Sequence, residues 1–409
     1  MTAHCIDVVG LGLGGPWLSP EARTAVAAAD VLVGGRRLLA LFPDHAGGRI
    51  VIAGPLDAVC AAMEQAVGQG RRLAVLADGD PLFFGIGRVL AERFGPDRLR
   101  FHPGVTAVAV AAARLGRPWN GLPAVSLHGR DDMGPLFAAL RRADAVAVYT
   151  DARNTPGVIA ARLRERGGDA FALTVFEDLG LPGERVRRLS LDAAATMDFS
   201  PLNLVRIERT RPVDTPLCLG LDDAALARRD RVFTKKTVRA ASLAALAVRA
   251  GDVVWDIGAG TGAVALEASV LAGDGPVVAV EREAGRYALL VENIRRTGAL
   301  TVAPFCAEAP DGLDDRPDPD RIFVGGGLTD RPDLLPALCR RLRPGGRLVC
   351  NCVLLGNLHR AMEMLAAQGL VVSLTQLLAS TGAPLAGDIR LCAENAVFIV
   401  TAVKESSHA

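Results

Sequence analysis

Two segments of the sequence each join a short apolar strand, a glycine-rich turn and a helix. The first is VVGLGLGG at residues 8–15, and the second is VVWDIGAGTGAVALEA at residues 253–268. Glycine lets the backbone turn sharply after a strand and approach a ligand closely. After each segment, β-branched strands alternate with helices rich in Ala, Leu and Arg, a pattern typical of mainly parallel sheets covered by helices. The sequence therefore predicts an α/β fold.

The chain divides into two unequal blocks of this kind. In the first block we predict strands at 6–11, 72–76, 145–150 and 171–175, and helices at 21–29 and 56–68. In the second block the predicted strands, each followed by a helix, are DVVWDIG, VVAVERE, TVAPFCA, RIFVGG and GGRLVCNCVLL. Between the blocks, TRPVDTP is polar and contains two prolines, which is typical of a linker. The predicted organisation is a domain at 1–209, a linker at 210–216 and a second domain at 217–409.

Composition gives no support for several classes of partner. The 409-residue chain is 50% hydrophobic and 22% charged, with a formal net charge of +1, so nothing favours a nucleic-acid groove or a membrane surface. We find no basic segment ahead of the first apolar stretch and no run of about 18 uncharged apolar residues, so neither a secretory signal nor a membrane span is predicted. The eight cysteines form no C-x-x-C pair, and the six histidines show no ligand spacing. Reduced thiols, a cytoplasmic location and no metal site are expected.

The second glycine loop predicts a site for S-adenosylmethionine (SAM). Asp256 and the glycines of 258–262 lie between a strand and a helix, and Glu281 ends the next strand. A carboxylate at that position can accept hydrogen bonds from two ribose hydroxyls, while the glycines admit the amino-acid part of the cofactor. The adenine is expected beside FCAEAPDGL, residues 305–313. An NAD site is the alternative, but D-x-G-x-G-T-G is not its usual sequence.

The first glycine loop is less specific. Gly10-x-Gly12-x-x-Gly15 has the spacing of a dinucleotide fingerprint, and a tight turn without a ligand fits it as well. A dinucleotide-binding loop enters its helix at once, whereas PWLSP intervenes here and Ser19 and Pro20 supply a helix start. These features argue against a nicotinamide site.

The ordered motifs resemble those of two methyltransferase families. VVGLGLGG, LADGDPLFFGIG, HPGVTAVAVAAARLGRPW, SLHGRD and NLVRIE are similar to the tetrapyrrole methylases, in which two α/β lobes clasp SAM. FTKKTVRA, DIGAGTGAVALEA, APDGL, DRIFVGGG and LRPGGRLVCNCV resemble the Rossmann-like class I SAM methyltransferase domain that methylates and decarboxylates precorrin-6B in cobalamin biosynthesis. Together these motifs cover nearly the whole chain, in the order found in the bifunctional precorrin methyltransferases.

This resemblance implies methylation of precorrin-6B at meso carbons 5 and 15 and loss of carbon dioxide from the ring C acetate, giving precorrin-8. The C-terminal domain is expected to serve carbon 15 and the decarboxylation, and the N-terminal domain carbon 5, with one SAM site in each. The implied partner is a corrinoid tetrapyrrole, without nucleic acid or membrane, and the implied assembly is a homo-oligomer, either a dimer or a tetramer. Methyl transfer to an electron-rich ring carbon needs alignment and exclusion of water, so the lack of a Ser-His-Asp pattern fits this chemistry.

The resemblance also implies the site residues. In the first domain the expected cofactor-binding residues are Gly10, Gly12, Gly14, Asp78, Asp80, Phe83, Ile86, Thr106 and Ala107. In the second domain they are Thr234, Asp256, Gly258, Gly260, Thr261, Gly262, Glu281, Ala307 and Glu308. The residues expected to act on the substrate are Thr234, Lys235, Arg239 and Asn351. Asp78 and Asp80 also fit a helix cap and turn, and the segments 128–130 and 151–156 fit either a substrate-binding cleft or solvated loops.

Two local features qualify the match. Leu354 and Gly356 stand where the family pattern has a threonine and an acidic residue, so Glu308 and Asp311 are the candidate replacements for that carboxylate. The chain has only three lysines, and two of them are adjacent in FTKK. Lys235 matches the family's Thr-Lys step and is expected to be functional, whereas its neighbour matches a variable position and is expected to be solvated.

Two other functions stay open at this point. In one, the second domain methylates a different substrate such as a nucleic-acid base, against which stand the near-zero net charge and the absence of an N/D-P-P-Y/F motif. In the other, the first domain is a scaffold that hands precorrin to the second. The intact GLGLGG and GDP motifs argue against that alternative.

Overall fold

The computed structural model describes residues 6–228, 234–326 and 331–406. Its first sheet has five parallel strands in the order β3-β2-β4-β1-β5. Its strands are β1 (Ile6–Gly10), β2 (Val31–Gly34), β3 (Gly48–Val51), β4 (Leu73–Ala77) and β5 (Leu99–His102). The helices of this region are α1 (Pro20–Ala28), α2 (Arg36–Leu39), α3 (Leu56–Gly68) and α4 (Gly87–Phe94). Ser19 accepts a hydrogen bond from the Ala22 amide and Pro20 opens α1, so the predicted helix start is found.

The second sheet follows at once and has the order β6-β7-β10-β8-β9. Its strands are β6 (Ala124–Ser126), β7 (Ala145–Tyr149), β8 (Phe171–Glu177), β9 (Arg185–Ser190) and β10 (Asn203–Arg209). Its helices are α5 (Ala107–Leu115), α6 (Gly134–Arg142), α7 (Pro156–Glu165) and α8 (Leu191–Ala195). The first two sheets form the two lobes of the N-terminal part of the chain, residues 6–209.

The third sheet has seven strands in the order β13-β12-β11-β14-β15-β19-β16. Its strands are β11 (Val254–Ile257), β12 (Val277–Glu281), β13 (Val302–Cys306), β14 (Arg321–Val324), β15 (Arg347–Cys352), β16 (Val371–Leu377) and β19 (Val397–Val403), and β17 (Ser380–Leu385) and β18 (Asp388–Ala393) form a separate hairpin. The helices are α9 (Lys236–Leu246), α10 (Ala263–Ala272), α11 (Ala284–Thr297), α12 (Leu334–Arg341) and α13 (Leu355–Ala367). We call residues 217–406 the C-terminal part.

Both faces of the third sheet are buried, which explains why its strands are apolar without alternation. Val253, Trp255 and Ile257 pack into the core on one face, while Val254 packs into the core on the other. Cys350 and Cys352 also lie buried in the first of these cores, as the strand pattern predicts.

The predicted α/β class is confirmed, but three details of the strand pattern are wrong. No helix follows β13 among the described residues, since β14 is the next element of the sheet. In the third sheet, β19 runs antiparallel to both of its neighbours, β15 and β16. The second sheet is also mainly antiparallel, with only β6 and β7 parallel. Strands joined directly, such as β8 and β9, return antiparallel without a crossover helix, so the rule for alternating strands and helices does not cover them.

The two parts contact each other through the region around Leu300. This leucine belongs to the C-terminal part by sequence, yet it is 1% exposed and packs into the core of the second sheet. Its carbonyl accepts a 2.7 Å hydrogen bond from Arg166 at the end of α7. In the segment that joins the two parts, the Thr215 amide donates to the Arg296 carbonyl at 3.0 Å.

Candidate active sites

A cavity of about 400 Å³ lies at the carboxyl ends of β11, β14 and β15. The strand order of the third sheet reverses beside β11, so the loops that follow its strands diverge and leave a crevice there. The predicted site residues that line this C-terminal cavity are Thr234, Lys235, Asp256, Gly258, Gly260, Thr261 and Asn351. Residues distant in the sequence are therefore brought to one cavity.

The backbone geometry of the second glycine loop, residues 258–262, requires glycine at two positions. Gly262 has φ +85°, and a Cβ there would lie 2.3 Å from Leu290 Cδ1. Gly258 has φ +71° and would place a Cβ 3.1 Å from the Gly326 amide nitrogen. Side chains rarely adopt such backbone angles, so glycine lets the loop pass close to both neighbours.

Asp256 is the buried carboxyl of the C-terminal cavity. One oxygen accepts a 2.9 Å hydrogen bond from the Ala265 amide, and the other is buried without a hydrogen-bond partner among the described residues. Burial, reinforced by nearby Glu281, raises the pKa of Asp256 to about 7. An unsatisfied buried carboxyl oxygen in a cavity wall fits a ligand that donates a hydrogen bond or carries positive charge.

Glu281 lies at the end of β12, where a second, smaller cavity of about 150 Å³ begins. Its two carboxylate oxygens accept hydrogen bonds from the amides of Gly260 and Glu283 at 2.8 and 2.9 Å. Ala307 and Glu308 line the same cavity, and Glu308 is paired with Arg282 at 3.1 Å. Both cavities share Gly258 and Gly325, so one elongated ligand can extend across the two.

Lys235 meets a carboxylate that the sequence analysis missed. Its Nζ lies 3.1 Å from Oε1 of Glu394, and both residues line the C-terminal cavity beside Asn395. Glu394 and Asn395 lie in a short segment between β18 and β19. A polar Glu-Asn pair ahead of the apolar strand VFIVTAV was the available signal, but only the fold brings it to α9.

Asn351 is held in one orientation. Its Nδ2 donates a 2.8 Å hydrogen bond to Ser242 Oγ. The Ser242 hydroxyl in turn donates a 2.8 Å hydrogen bond to the Val238 carbonyl. The amide therefore presents a fixed polar group at the end of β15.

Arg239 is placed differently from the prediction that it acts on the substrate. Its side chain is fully buried and does not line the cavity; Nε pairs with Glu267 at 2.6 Å, and Nη1 pairs with Asp223 at 3.1 Å. Nη1 also donates a 2.8 Å hydrogen bond to the Thr234 carbonyl. The structure thus places Arg239 behind the segment that carries Thr234 and Lys235 rather than in the cavity wall, and its part in the reaction stays a prediction.

The candidate replacements for the family carboxylate lie outside the C-terminal cavity. Glu308 lines only the smaller cavity, and Asp311 pairs with Arg331 at 3.2 Å. Leu354, at the start of α13, is 64% exposed. Glu394 is the carboxylate that the structure places beside Lys235.

A separate cavity of about 590 Å³ lies between the two lobes of the N-terminal part. Five predicted residues line it, namely Asp78, Asp80, Phe83, Ile86 and Ala107. The second lobe contributes Tyr149, Phe176 and Asn203, none of which was predicted. Phe84 and Tyr149 lie with ring centroids 5.5 Å apart, and burial raises the pKa of Tyr149 to about 12. We call this space the N-terminal cavity.

The glycines of the first loop hold backbones together rather than lining this cavity. A Cβ on Gly10 would lie 2.6 Å from the Gly79 carbonyl oxygen, and one on Gly14 would lie 2.0 Å from the Gly180 oxygen in the other lobe. Gly12 exchanges backbone hydrogen bonds with Gly79. The loop therefore fixes the cleft between the lobes.

Several predicted residues of the N-terminal part have local structural partners. Asp80 accepts hydrogen bonds from the amides of Leu82 and Gly104 at 2.8 and 3.1 Å, and Asp78 is paired with Arg37. Thr106 does not line the cavity but caps α5 through the Ala109 amide. The two aspartates therefore both stabilise local structure and line the cavity.

The segment 128–130 is a braced turn beside the N-terminal cavity. His128 lines the cavity. Asp151 accepts a 2.7 Å hydrogen bond from the Gly129 amide, and buried Asn154 donates to the carbonyls of Leu127 and Arg130. Residues 151–154 hold this turn, and Arg130 faces another cavity described below.

Other classes of site find no support in the described ranges. There, no group of three or more His, Cys, Asp or Glu side chains is arranged to hold a metal ion. Within the same residues, no helix has the length and apolar character needed to cross a bilayer.

Fold and cavities define a chain with two methyltransferase-like units. Residues 6–195 match the family model of tetrapyrrole (corrin/porphyrin) methylases, and residues 225–404 match that of a precorrin methyltransferase domain. A Sinorhizobium protein named precorrin-6Y C(5,15)-methyltransferase (decarboxylating) is 34% identical over 357 residues, which are 85% of this chain and 84% of the relative. The chain belongs to this family.

Two shorter relatives correspond in length to one part of the chain. A cobalt-precorrin-7 C(5)-methyltransferase of Salmonella typhimurium is 36% identical over 189 residues, 46% of this chain and 92% of the relative. A probable cobalt-precorrin-6B C(15)-methyltransferase (decarboxylating) of Pyrobaculum calidifontis is 35% identical over 196 residues, 47% of this chain and 98% of the relative.

Proposed function

We propose that the chain uses SAM to methylate precorrin-6B at meso carbons 5 and 15 and removes the carboxyl of the ring C acetate, giving precorrin-8 in cobalamin biosynthesis. A SAM-dependent C-methyltransferase with decarboxylase activity agrees with the names of the relatives that span most of the chain. The observation that carries the proposal is the presence, in one chain, of two separate cavities lined by residues that the two methyltransferase motifs predict.

One SAM site in each part is also a proposal. In the C-terminal part, the free oxygen of Asp256 fits a donor group of the cofactor, and Glu281 lies where ribose hydroxyls are bound in this fold. In the N-terminal part, Phe83, Tyr149 and the small Ala107 form apolar walls. SAM, when bound, supplies an electrophilic methyl group; the protein aligns it with the ring carbon and keeps water away.

The C-terminal cavity also supplies groups for the decarboxylation. Lys235 can bind a substrate carboxylate in the place now taken by Glu394, because a lysine ammonium pairs with either. Loss of carbon dioxide leaves an electron pair that the conjugated macrocycle accepts, and the remaining carbon needs a proton. We assign that step to Glu394, which lines the same cavity as Lys235 and Asn351: once the substrate carboxylate displaces it from Lys235, Glu394 takes up a proton from water and passes it to the carbon.

We further propose that the C-terminal part serves carbon 15 and the decarboxylation, and the N-terminal part carbon 5. Two relatives, each about as long as one part, carry these activities separately in their names, which supports the division. Domain boundaries at 1–209, 210–216 and 217–409 stay part of the proposal, as do the proposed cytoplasmic location and homo-oligomer. Free cysteines favour a reducing compartment, and the exposed Ile389 and Leu391 of the β17–β18 hairpin favour a contact between copies.

The test is to incubate the full-length protein with precorrin-6B and SAM and to follow the product by mass spectrometry. Two methyl groups gained and one carbon dioxide lost are expected. An unchanged mass with folded protein would refute the proposed function.

The division of labour is tested with two matched substitutions in the full chain. Ala107→Trp fills the N-terminal cavity, and Ala259→Trp fills the C-terminal cavity. The first variant should still give the decarboxylated product with one added methyl group, and the second should give no decarboxylated product. Circular dichroism and urea unfolding check that both variants fold. Retention of decarboxylation by Ala259→Trp would overturn the division.

A further inference from the structure

A third large cavity, of about 600 Å³, lies between the N-terminal and C-terminal parts. The N-terminal part contributes the 130–133 turn, Phe137 of α6 and the end of α7. The C-terminal part contributes Tyr287 of α11, Phe305 of β13 and Arg316. This space is distinct from both cavities described above, and we call it the arginine cavity.

Its walls carry an excess of positive charge. Five arginines and three acidic residues line it. Two of the arginines and two of the acidic residues form the ion pairs Arg153–Asp131 and Arg162–Glu165. Arg166 and Arg316, one from each part, have no ion pair among the described residues, and the third acidic residue, Asp132, acts on Arg166 only from beyond ion-pair distance. The cavity therefore has cationic groups available for an anion.

Both arginines are held by aromatic rings. The Arg166 guanidinium lies 4.0 Å from the centre of the Phe137 ring and donates to the Leu300 carbonyl. Burial lowers the pKa of Arg166 to about 10, so the group is still charged at neutral pH. The Arg316 guanidinium lies 3.8 Å from the centre of the Phe305 ring, and its Nε is buried without a hydrogen-bond partner. A buried guanidinium nitrogen without a hydrogen bond is costly unless a ligand supplies an acceptor.

The arginine cavity shares a turn with one proposed reaction site and a helix with the other. On one side, His128 lines the N-terminal cavity and Arg130, two residues on, lines the arginine cavity. On the other side, Arg286 lines the C-terminal cavity and the adjacent Tyr287 lines the arginine cavity. The same short turn and the same helix thus border neighbouring cavities.

We propose that the arginine cavity binds the carboxylate side chains of the corrinoid intermediate that leaves one reaction site and must enter the other. This rests on the proposed function, because that function creates a polycarboxylate macrocycle needed at two sites of one chain. Arg166 from the N-terminal part and Arg316 from the C-terminal part bind the carboxylates, and the aromatic rings keep their guanidinium groups in place. The site retains the intermediate near the protein between the two reactions.

The first test measures binding of uroporphyrin, a stable cyclic tetrapyrrole with carboxylate side chains, to the full-length protein by fluorescence. Loss of charge-assisted hydrogen bonds worth about 1.5–3 kcal/mol should weaken binding about 10- to 100-fold in Arg166→Gln/Arg316→Gln. Arg88→Gln/Arg360→Gln removes the same charge from exposed positions and should bind as the wild type does. Ala107→Trp/Ala259→Trp, with both reaction cavities filled, should retain the binding. The single variant Arg316→Gln keeps the Arg166–Leu300 hydrogen bond. Weaker binding in this variant therefore cannot be caused by a folding defect from the loss of that bond.

The second test measures how much singly methylated intermediate escapes into solution during turnover of precorrin-6B. The wild type should release little, and Arg316→Gln should release several-fold more while the first reaction keeps its rate. Suppose that the wild type converts the substrate, while the variants of Arg166 and Arg316 bind uroporphyrin and release the intermediate to the same extent as the wild type. The arginine cavity then has no such role. If the wild type converts nothing, the proposed function fails; the binding test then still decides whether the cavity is a polycarboxylate site.

Discussion

Lys235 and Lys236 are neighbours in the sequence but have different surroundings in the fold. Lys235 precedes α9, lines the C-terminal cavity and pairs with Glu394. Lys236 is the first residue of α9 and does not line that cavity. The sequence separated the two through a family pattern, and the geometry agrees with that separation without testing its functional meaning.

Substitution of the two lysines tests their roles. Lys235→Ala should lower the rate of decarboxylation about tenfold or more, because a charged hydrogen bond to the substrate contributes about 1.5–3 kcal/mol. Lys236→Ala, the matched control, should keep the wild-type rate. Product masses and rates from the full-length variants provide the measurement. Equal losses in both variants would contradict this assignment.

Asp256 makes stability depend on pH. Its pKa is raised from 3.8 to about 7, chiefly by burial, so the folded state holds a proton that the unfolded state has already released. The free energy of unfolding therefore falls as the pH rises from about 4 to about 7, by an amount on the order of a few kcal/mol. Asp256→Asn removes this dependence.

Urea unfolding without ligand, at about pH 5 and about pH 8, should show a smaller loss of stability in Asp256→Asn than in the wild type. Asp388→Asn, a change at an exposed carboxylate, is the control and should behave as the wild type does. An identical pH dependence in Asp256→Asn and the wild type would show that this carboxyl does not titrate in the predicted range.

At the scale of elements, the first glycine loop joins the two lobes of the N-terminal part. Gly14 has φ +75° and lies against the backbone of Gly180, which cannot move aside as a side-chain end can. Gly121 has a similar φ of +78° but nothing near the position of a Cβ. The two positions thus have similar φ angles but differ in the room available for a Cβ atom.

Gly14→Ala should destabilise the N-terminal part more than Gly121→Ala does. Both changes incur about 1–2 kcal/mol for the left-handed conformation, and only the first adds a backbone clash. Urea unfolding of the full chain and loss of carbon 5 methylation provide the readouts. Equal destabilisation by the two alanines would mean that the lobes separate freely at this loop.

The elements that the sequence predicts well are those with strong local signals. The capped start of α1, the buried strand β11 and the turn at Gly262 follow from residues a few positions apart. The strands β16 and β19 and the antiparallel pairing of β19 were missed, because a strand's partner depends on the path of the chain rather than on its own residues. Glu394 was missed for the same reason: it lies next to Lys235 only because β19 returns beside β15. Arg239 was assigned to the substrate because a sequence pattern shows residue type but not burial.

At the scale of the whole molecule, Leu300 links the stability of the two parts. Leu300→Ala removes a buried side chain from the core of the second sheet, which costs about 2–5 kcal/mol. Amide hydrogen exchange, followed by mass spectrometry, should become faster in β8 and β10 although the change lies in the C-terminal part. Leu313→Ala, equally buried but in the core of the third sheet, should speed exchange there and leave β8 and β10 unchanged. Unaltered exchange of β8 and β10 in Leu300→Ala would show that the two parts unfold independently.

The turn at 128–130 has a consequence for how this chain can change over time. Insertions and deletions usually accumulate in exposed turns, but here His128 and Arg130 border different cavities, and Asn154 holds the backbone on both sides of the turn. One inserted residue would displace two binding surfaces together. We therefore expect natural variants to exchange side chains in this turn while keeping its length.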